Sequence, residues 1–290
     1  RFALCLPREE FDEKRVADSI KELQREFSGN SFHLHTYMGV YEIRDRDEAV
    51  SIMVDKANIA ADTIKNNYDC CVAYYDEHLL EISIEQRRLL GEFEPALQND
   101  EFVMYLQPQV KRDGAAKGAE ALVRWVHPSR GILTPYAFID ILENAGLIYK
   151  LDLYIWEKAA QKLAEWKEKG YGSYHISVNI STKDFYIIDI YETFTGLINK
   201  YGIAASNLHL EITETTLMTD FEKNMNIIHK LQGVGFRVEI DDFGSGYSSL
   251  NMLKDISADV LKIDMGFLRK SENEVKGQDI LAVSYTHLTL

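Results

Sequence analysis

Short apolar segments alternate along the chain with longer segments in which apolar residues recur every three or four positions. The first pattern predicts buried strands, and the second predicts amphipathic helices. In the first 80 residues the order strand, helix, strand, helix, strand is typical of a small α/β unit. The predicted elements are FALCLP, a helix from about Glu10 to Phe27, HLHTYMGVYEI, a helix from about Glu48 to Lys65, and CCVAYYD.

A mostly charged segment with spaced isoleucines and leucines, residues 81–100, separates this unit from the rest of the chain. It predicts a helix that connects two domains. Six strand segments follow with helical segments between them, and this order favours parallel strands in a barrel or a doubly wound sheet. The six segments are FVMYLQPQV, GAEALVRWV, YHISVNIS, LHLEITE, FRVEIDDF and DVLKIDMGF.

Several of these strands carry a polar residue at or near the carboxyl end, where the strands of a parallel barrel converge on one face. Each such residue alone is more often a cap or a turn former than a ligand. Together, several carboxylates on apolar strands are costly to bury unless a cation neutralises them, and oxygen ligands suit magnesium or manganese better than zinc. The residues are Glu120, Asn179, Glu211, Asp241, Asp242 and Lys262.

The adjacent pair Asp241 and Asp242 belongs to the segment FRVEIDDFGSGYSSL. Neighbouring strand residues point to opposite faces, but this alternation relaxes where a strand ends, so both carboxylates can serve one two-metal site. Lys262 lies between two apolar residues in LKID, which predicts a ligand-facing cation. The loop GSGYSSL is either an ordinary strand-to-helix connection with Ser248 as the helix N-cap or a flexible lid beside the metals.

Composition and charge narrow the classes of function. The 290 residues, 46% of them hydrophobic, suffice for one large domain or two ordinary ones, and the net charge of −14 argues against a dedicated nucleic-acid binder. Cys5, Cys70 and Cys71 lack zinc-type spacing and fit reduced thiols. Reduced thiols fit a cytosolic setting, so we expect a cytoplasmic protein. No apolar run approaches about 20 residues, and no signal peptide opens the chain. The start at Arg1, within a strand pattern, predicts that an N-terminal part is missing.

Six motifs in order resemble those of the EAL domain, a barrel that hydrolyses cyclic di-GMP. They are QPQV, EALVRWVHP, SVNIS, LEITE, DDFGSGYSSL and LKID, and the resemblance covers about residues 102–280. It implies the α/β class and a (β/α)8 TIM-like barrel. It also implies a two-metal site for Mg²⁺ or Mn²⁺, with ligands at Glu120, Asn179, Glu211, Asp241 and Asp242.

The resemblance implies roles for further residues. Lys262 would assist the nucleophilic water, Asp242 would act in catalysis as well as in metal binding, and Glu214 would anchor the DDFGSGYSSL loop. Ser245 stands in that loop where the family more often has threonine. Four residues fall where the family contacts the dinucleotide: Gln107, Leu122, Arg124 and Asp264.

The first segment is similar to the second half of a GGDEF domain, the diguanylate cyclase partner often fused upstream of EAL. In that family a strand of the form FALLLP follows the signature directly. RFALCLP therefore places Arg1 at the signature's fourth position, which is normally acidic. We expect a degenerate, non-catalytic cyclase-like domain.

Beyond Ile280 the family pattern continues with two more strands, an AEGVE-like stretch and a QGY-like stretch, which this chain lacks. The final residues, VSYTHLTL, look like a translated sequencing adapter, and the alternative is a natural β-rich tail. We therefore expect a C-terminally truncated barrel with open edges and doubtful activity. The predicted segments are residues 1–80 (partial GGDEF-like), 81–100 (connector), 101–282 (partial EAL) and 283–290 (non-native tail).

The leading hypothesis for the parent protein is bacterial second-messenger signalling through metal-dependent hydrolysis of cyclic di-GMP to linear pGpG. One alternative is a receptor that binds cyclic di-GMP without cutting it. Another is an unrelated magnesium-dependent barrel enzyme that acts on a phosphorylated metabolite. The resemblance also makes a homodimer through the EAL domain an expectation.

Overall fold

The computed structural model describes residues 2–27, 36–65, 70–111, 113–243 and 258–263. The chain divides into two compact units, Arg1–Glu92 and Phe93–Leu290. Within the described ranges, no helix is both long enough and apolar enough to cross a lipid bilayer.

The first unit is a small α/β arrangement. Its strands β1 and β2 are parallel, with Gly39 opposite Ala73, and helix α2 forms the crossover between them. This agrees with the predicted alternation of strands and helices. The elements are α1 (Glu13–Phe27), β1 (Met38–Val40), α2 (Val50–Thr63), β2 (Val72–Tyr74) and the first part of α3 (Glu77–Gln98).

The predicted strand FALCLP is wrong for this structure. Residues 2–7 have no regular secondary structure and lead into a single 3-10 turn at Arg8–Glu10. Phe2 and Leu4 are exposed, and no described strand lies beside the segment to pair its backbone. Apolar alternation alone does not make a strand, because the backbone N–H and C=O groups need a hydrogen-bonded neighbour. The predicted strand HLHTYMGVYEI is also shorter, with only Met38–Val40 extended and residues 33–35 outside the described ranges.

The second unit is built on one curved sheet, and helices lie between its strands from β5 to β8. The strand order is β3-β4-β6-β7-β8-β9, with β5 attached to β4. The elements after α3 are β3 (Phe102–Val110), β4 (Ala116–His127), β5 (Gly131–Leu133), α4 (Ile139–Asn144), α5 (Ile148–Glu168), β6 (His175–Ile180), α6 (Asp184–Ile187), α7 (Ile190–Tyr201), β7 (Leu208–Thr213), α8 (Glu214–Thr219), α9 (Phe221–Val234), β8 (Arg237–Phe243) and β9 (Val260–Ile263).

Strands β4, β6, β7, β8 and β9 are parallel, as the alternation with helices predicts. Strand β3 differs because it pairs with β4 in the antiparallel direction. The connection between them, residues 111–115, is too short for a helical crossover and permits only a hairpin. The described strands form an open path rather than a closed (β/α)8 barrel. The path is nevertheless strongly curved, since Lys262 on β9 contacts Glu120 on β4.

Helix α5 packs in the core of the second unit and also contacts the end of β6. Its Trp156 is almost fully buried and packs against Phe194 of α7, with the ring centroids 4.5 Å apart. The indole N–H donates a hydrogen bond to the backbone carbonyl of Asn179 on β6, at 2.9 Å. The burial of two large aromatic rings stabilises the unit, and the hydrogen bond fixes the end of β6.

We expect Trp156→Phe to lower the free energy of unfolding by about 1–2 kcal/mol, because the Asn179 carbonyl loses its buried donor while the ring packing largely survives. Urea unfolding followed by circular dichroism measures the change. Trp166→Phe is the matched control, since Trp166 is only half-buried and contacts Tyr174 at the edge of a ring. Equal losses in the two variants would contradict the role of the hydrogen bond.

Candidate active site

The predicted ligand residues lie on four neighbouring strands of the second unit. Asn179 of β6 is directly opposite Glu211 of β7, and Asp241 of β8 is opposite Thr213. Glu120 is not at the end of its strand as predicted, because β4 continues to His127 and only Gly118, Ala119 and Glu120 pair with β6. The predicted convergence still occurs, since the pairing of β4 with β6 ends at Glu120.

Lys262 of β9 contacts acidic side chains on three of these strands, β4, β7 and β8. Its Nζ lies 2.9 Å from Glu120 Oε2, forms an ion pair with Glu211, and is 4.0 Å from Glu239 Oε2. Burial alone would lower the pKa of Lys262, but the contacts with Glu211 and Glu120 outweigh it, so the pKa is raised. The ammonium therefore stays charged among the side chains of Glu120, Glu211 and Glu239.

Glu211 is the most deeply buried of these carboxylates, at 1% exposure. Burial raises its pKa to about 8, an effect that Lys262 opposes and that Glu120 and Asp241 increase. Apart from Lys262, no described residue donates a hydrogen bond to either Glu211 oxygen. A buried carboxylate with this deficit of positive charge fits a divalent cation, and the surrounding oxygen donors suit magnesium or manganese.

The backbone is irregular at the aspartate pair. The register of β8 against β9 shifts between Ile240 and Phe243, and Asp242 has a φ of 54°. Left-handed φ values are uncommon for residues other than glycine and occur at bulges and functional sites. The regular alternation of side chains is therefore interrupted at Asp241 and Asp242, inside the strand rather than after its end.

Some of the residues predicted to bind the substrate lie next to the same site. Gln107 on β3 is directly opposite Glu120, while Leu122 and Arg124 follow at alternate positions and share its face of β4. Glu214 is the first residue of α8 and is buried, at 6% exposure. The loop that Glu214 is predicted to anchor lies outside the described residues from position 244 onward. Asp264, Ser245, Ser248 and the VSYTHLTL tail also lie outside the described residues.

Sequence reasoning missed a row of polar residues on the inner face of the sheet. His175, His209 and Glu239 are almost fully buried, and each lies two to four residues before a predicted ligand on the same strand. Gln109 of β3 extends the row through a hydrogen bond with His175. The available signal was the period of two, as in HISVN and HLE, because alternate strand residues share a face.

The ionisation of Glu211 predicts a pH dependence of stability in metal-free protein. A folded-state pKa of about 8 lies above the reference value of 4.5, so this group's contribution is complete below pH 4.5 and is lost as the pH rises to 8. We expect the free energy of unfolding to fall over this window, by an amount on the order of 4 kcal/mol from this group. Urea unfolding in EDTA at several pH values measures it.

Glu211→Gln is the control for this pH dependence, because the amide cannot ionise. The difference between wild type and variant isolates the group from other titrations. Excess Mg²⁺ should flatten the wild-type profile, since a cation stabilises the carboxylate form. Parallel profiles for the two proteins would show that Glu211 does not titrate in this window.

Comparison with known proteins identifies the family. The EAL domain family matches residues 91–286, which is more than half of the chain. The chain belongs to the EAL domain family. The resemblance inferred from the six motifs is thereby confirmed, and the curved sheet of parallel strands is the EAL fold of this chain.

Relatives share this fold over the second unit and beyond. The chain is 33% identical over 212 residues to the bifunctional diguanylate cyclase/cyclic di-GMP phosphodiesterase MucR of Pseudomonas aeruginosa, a match that covers 73% of this chain and 30% of MucR. A solved MucR phosphodiesterase in complex with c-di-GMP has a TM-score of 0.62 at 33% identity and covers 68% of this chain and 80% of that chain. The matches span 30% and 36% of the length of two such curated relatives.

A longer structural match extends over both units. The S helix-GGDEF-EAL chain of Vibrio cholerae LapD, bound to c-di-GMP, has a TM-score of 0.63 and covers 96% of this chain and 67% of that chain. At 16% identity this likeness shows the fold alone.

Proposed function

We propose that the second unit hydrolyses cyclic di-GMP to linear pGpG in bacterial second-messenger signalling, with the help of divalent cations. The observation that carries this proposal is the contact of Lys262 with Glu120 and Glu211 in an EAL domain. The MucR phosphodiesterase, in complex with c-di-GMP, supplies the substrate by analogy.

Five residues would hold two Mg²⁺ or Mn²⁺ ions: Glu120, Asn179, Glu211, Asp241 and Asp242. Their oxygen donors and the high pKa of Glu211 fit this assignment, because hard divalent cations prefer oxygen and neutralise buried carboxylates. When bound, two such ions acidify a water molecule and stabilise negative charge on the phosphate and on the leaving oxygen.

Side chains of the protein would assist the hydrolysis beside these cations. Hydrolysis forms a bond from the water oxygen to phosphorus, breaks the bond from phosphorus to the ribose 3′ oxygen, and transfers a proton to that leaving oxygen. Lys262 would hold a fixed positive charge beside the attacked phosphate and the water. Glu214 would support the DDFGSGYSSL loop from the start of α8, and Asp242 would contribute to catalysis at the bulge.

Substrate contacts are proposed for Gln107, Leu122, Arg124 and Asp264. The first three lie on the hairpin of β3 and β4, on the face that carries Glu120. A guanidinium, an amide and an apolar side chain are suited to a phosphate, a base edge and a ribose or base face, respectively.

The test is turnover of cyclic di-GMP by the 290-residue chain with Mn²⁺ or Mg²⁺, with products separated by chromatography. We expect linear pGpG as the product and no reaction in EDTA. Cyclic AMP serves as the comparison substrate, because it has a cyclic phosphodiester but no guanine base. Metal-dependent binding of cyclic di-GMP without product would make the unit a receptor and would overturn the hydrolase proposal.

We further propose that residues 1–80 are a degenerate GGDEF-like domain and residues 81–100 its connector to the EAL domain at 101–282. The α/β order of the first unit and the extent of the LapD likeness support this proposal. A homodimer through the EAL domain and a cytoplasmic location are proposals that rest on the resemblance of the sequence motifs.

A further inference from the structure

A row of polar side chains lies on the inner face of the sheet and is called here the inner ladder: half-buried Gln109 and the buried residues His175, His209 and Glu239. His175 Nε2 is 2.7 Å from Gln109 Oε1, and His209 Nδ1 is 2.5 Å from Glu239 Oε1. The two imidazole rings stack with centroids 3.7 Å apart and planes within 3° of parallel. Gly118 leaves room for His175, because a Cβ there would lie 2.5 Å from its Nε2.

The hydrogen-bond partners fix where the protons of the inner ladder lie. An amide oxygen only accepts, so His175 Nε2 donates to Gln109, and a carboxylate only accepts, so His209 Nδ1 donates to Glu239. Burial lowers the pKa of His175 to about 4, with the charge of His209 as a further cause, so the His175 ring is neutral near pH 7. The ladder therefore consists of two hydrogen-bonded pairs, His175 with Gln109 and His209 with Glu239, joined by the stacked rings.

The ladder contains the ligand types of a cation site, since His175, His209 and Glu239 bring their ligand atoms within 4.8 Å of one another. The ring geometry opposes that use. Lone pairs lie in the ring planes, and two parallel planes do not direct them toward one point. One nitrogen of each ring already donates to another ladder residue. The arrangement fits a hydrogen-bonded support better than a metal centre.

Glu239 connects the inner ladder to the candidate active site. Its Oε1 is held by His209, and its Oε2 faces the Lys262 ammonium at 4.0 Å. Among the described residues none donates a hydrogen bond to Oε2, although the side chain is almost fully buried. Of the two Glu239 oxygens, one is therefore bound by His209 and the other has the Lys262 ammonium as its ion-pair partner.

We propose that Glu239, oriented by His209, is a positioning residue that holds the Lys262 ammonium in place for hydrolysis. The proposal rests on the proposed function, in which Glu120 and Glu211 share their oxygens with cations. Glu239 lies outside that ligand set, so it remains an undivided counter-charge for Lys262. The inner ladder keeps this carboxylate from rotating toward the cations, because its other oxygen is already bound.

Four proteins test the coupling in catalysis: wild type, Glu239→Gln, Lys262→Met and the double variant, assayed with cyclic di-GMP and Mn²⁺. We expect Glu239→Gln to lower kcat about tenfold with KM within about twofold, because the ammonium is displaced while substrate contacts remain. In the Lys262→Met background, Glu239→Gln should change kcat no further. Independent, multiplicative effects on kcat would overturn the proposal.

A matched pair of variants tests the role of His209. His209→Asn places an amide N–H near the position of Nδ1 and should retain most of kcat, whereas His209→Ala should resemble Glu239→Gln. A merely structural role would lower the stability of both proteins without this separation in kcat. Equal kcat losses in His209→Asn and His209→Ala would argue against orientation through the hydrogen bond.

Urea unfolding in EDTA supplies a readout that does not depend on turnover. We expect Glu239→Gln to raise the unfolding constant in the wild-type background and to lower it in the Lys262→Met background, with the two effects differing by at least about fivefold. The same effect in both backgrounds would overturn the proposal. If the wild-type protein makes no pGpG, the proposed function fails. The unfolding constants of the four proteins would still show whether Glu239 and Lys262 interact. Stoichiometric zinc binding that His175→Gln abolishes would instead establish a metal centre in the ladder.

Discussion

Substitution of Glu120 by glutamine is expected to lower kcat/KM for cyclic di-GMP by about a thousandfold, or about 4 kcal/mol of transition-state stabilisation. Glutamine keeps the shape of the side chain but removes a negative charge from the proposed cation set and from the pair with Lys262. Half-buried Glu120 also contributes to the electrostatic environment of Glu211. Steady-state kinetics with Mn²⁺, together with calorimetric titration of Mn²⁺, should show activity and cation affinity falling together.

The control for Glu120→Gln is Glu168→Gln, which removes an exposed charge at the end of α5. It should leave both kcat/KM and Mn²⁺ affinity unchanged. If Glu120→Gln lost activity while its Mn²⁺ affinity equalled that of wild type, Glu120 would act through Lys262 alone. Near-normal activity of Glu120→Gln would remove Glu120 from the site.

The sequence predicts the parallel part of the fold well because its signal is local. Strands β6, β7 and β8 are apolar runs that alternate with helices, and their parallel pairing follows from these crossovers. The point at which β4 stops pairing with β6 is harder to predict. The residues after Glu120 continue as a strand because β3 and β5 pair with them, and such pairing is not visible in the periodicity of β4 itself.

Two charged residues of the candidate site stand out in the sequence, while the residues that support them do not. Glu211 and Lys262 stand out as charges on apolar strands, so their burial cost signals a function. In the sequence, His209 and Glu239 look like solvent-exposed positions on a strand. In the curved sheet their face points to the interior, and both side chains are buried. The curvature shows itself in the contact between Glu120 of β4 and Lys262 of β9, which are 142 residues apart. A contact over that separation has no local sequence pattern.

Replacement of Lys262 by methionine is expected to lower kcat about a hundredfold and also to destabilise metal-free protein by about 2–4 kcal/mol. Methionine is of similar length but leaves Glu120, Glu211 and Glu239 without the shared ammonium. The loss of stability should be larger at pH 8.5 than at pH 6, because Glu211 is protonated below its pKa of about 8. Kinetics with Mn²⁺ and urea unfolding in EDTA at the two pH values measure both effects.

The variant Lys262→Arg tests whether the two expected effects depend on the positive charge at this position or on the placement of the ammonium. The guanidinium retains a positive charge among the carboxylates, so stability should stay close to wild type, while its planar shape and different reach should still reduce kcat. Lys169→Met removes an exposed ion pair with Glu165 and should change neither quantity. If Lys262→Met were as stable as wild type at pH 8.5, the three carboxylates would not depend on Lys262 for charge balance. Full kcat in Lys262→Arg would mean that a positive charge near the phosphate suffices, without the specific position that the inner ladder imposes.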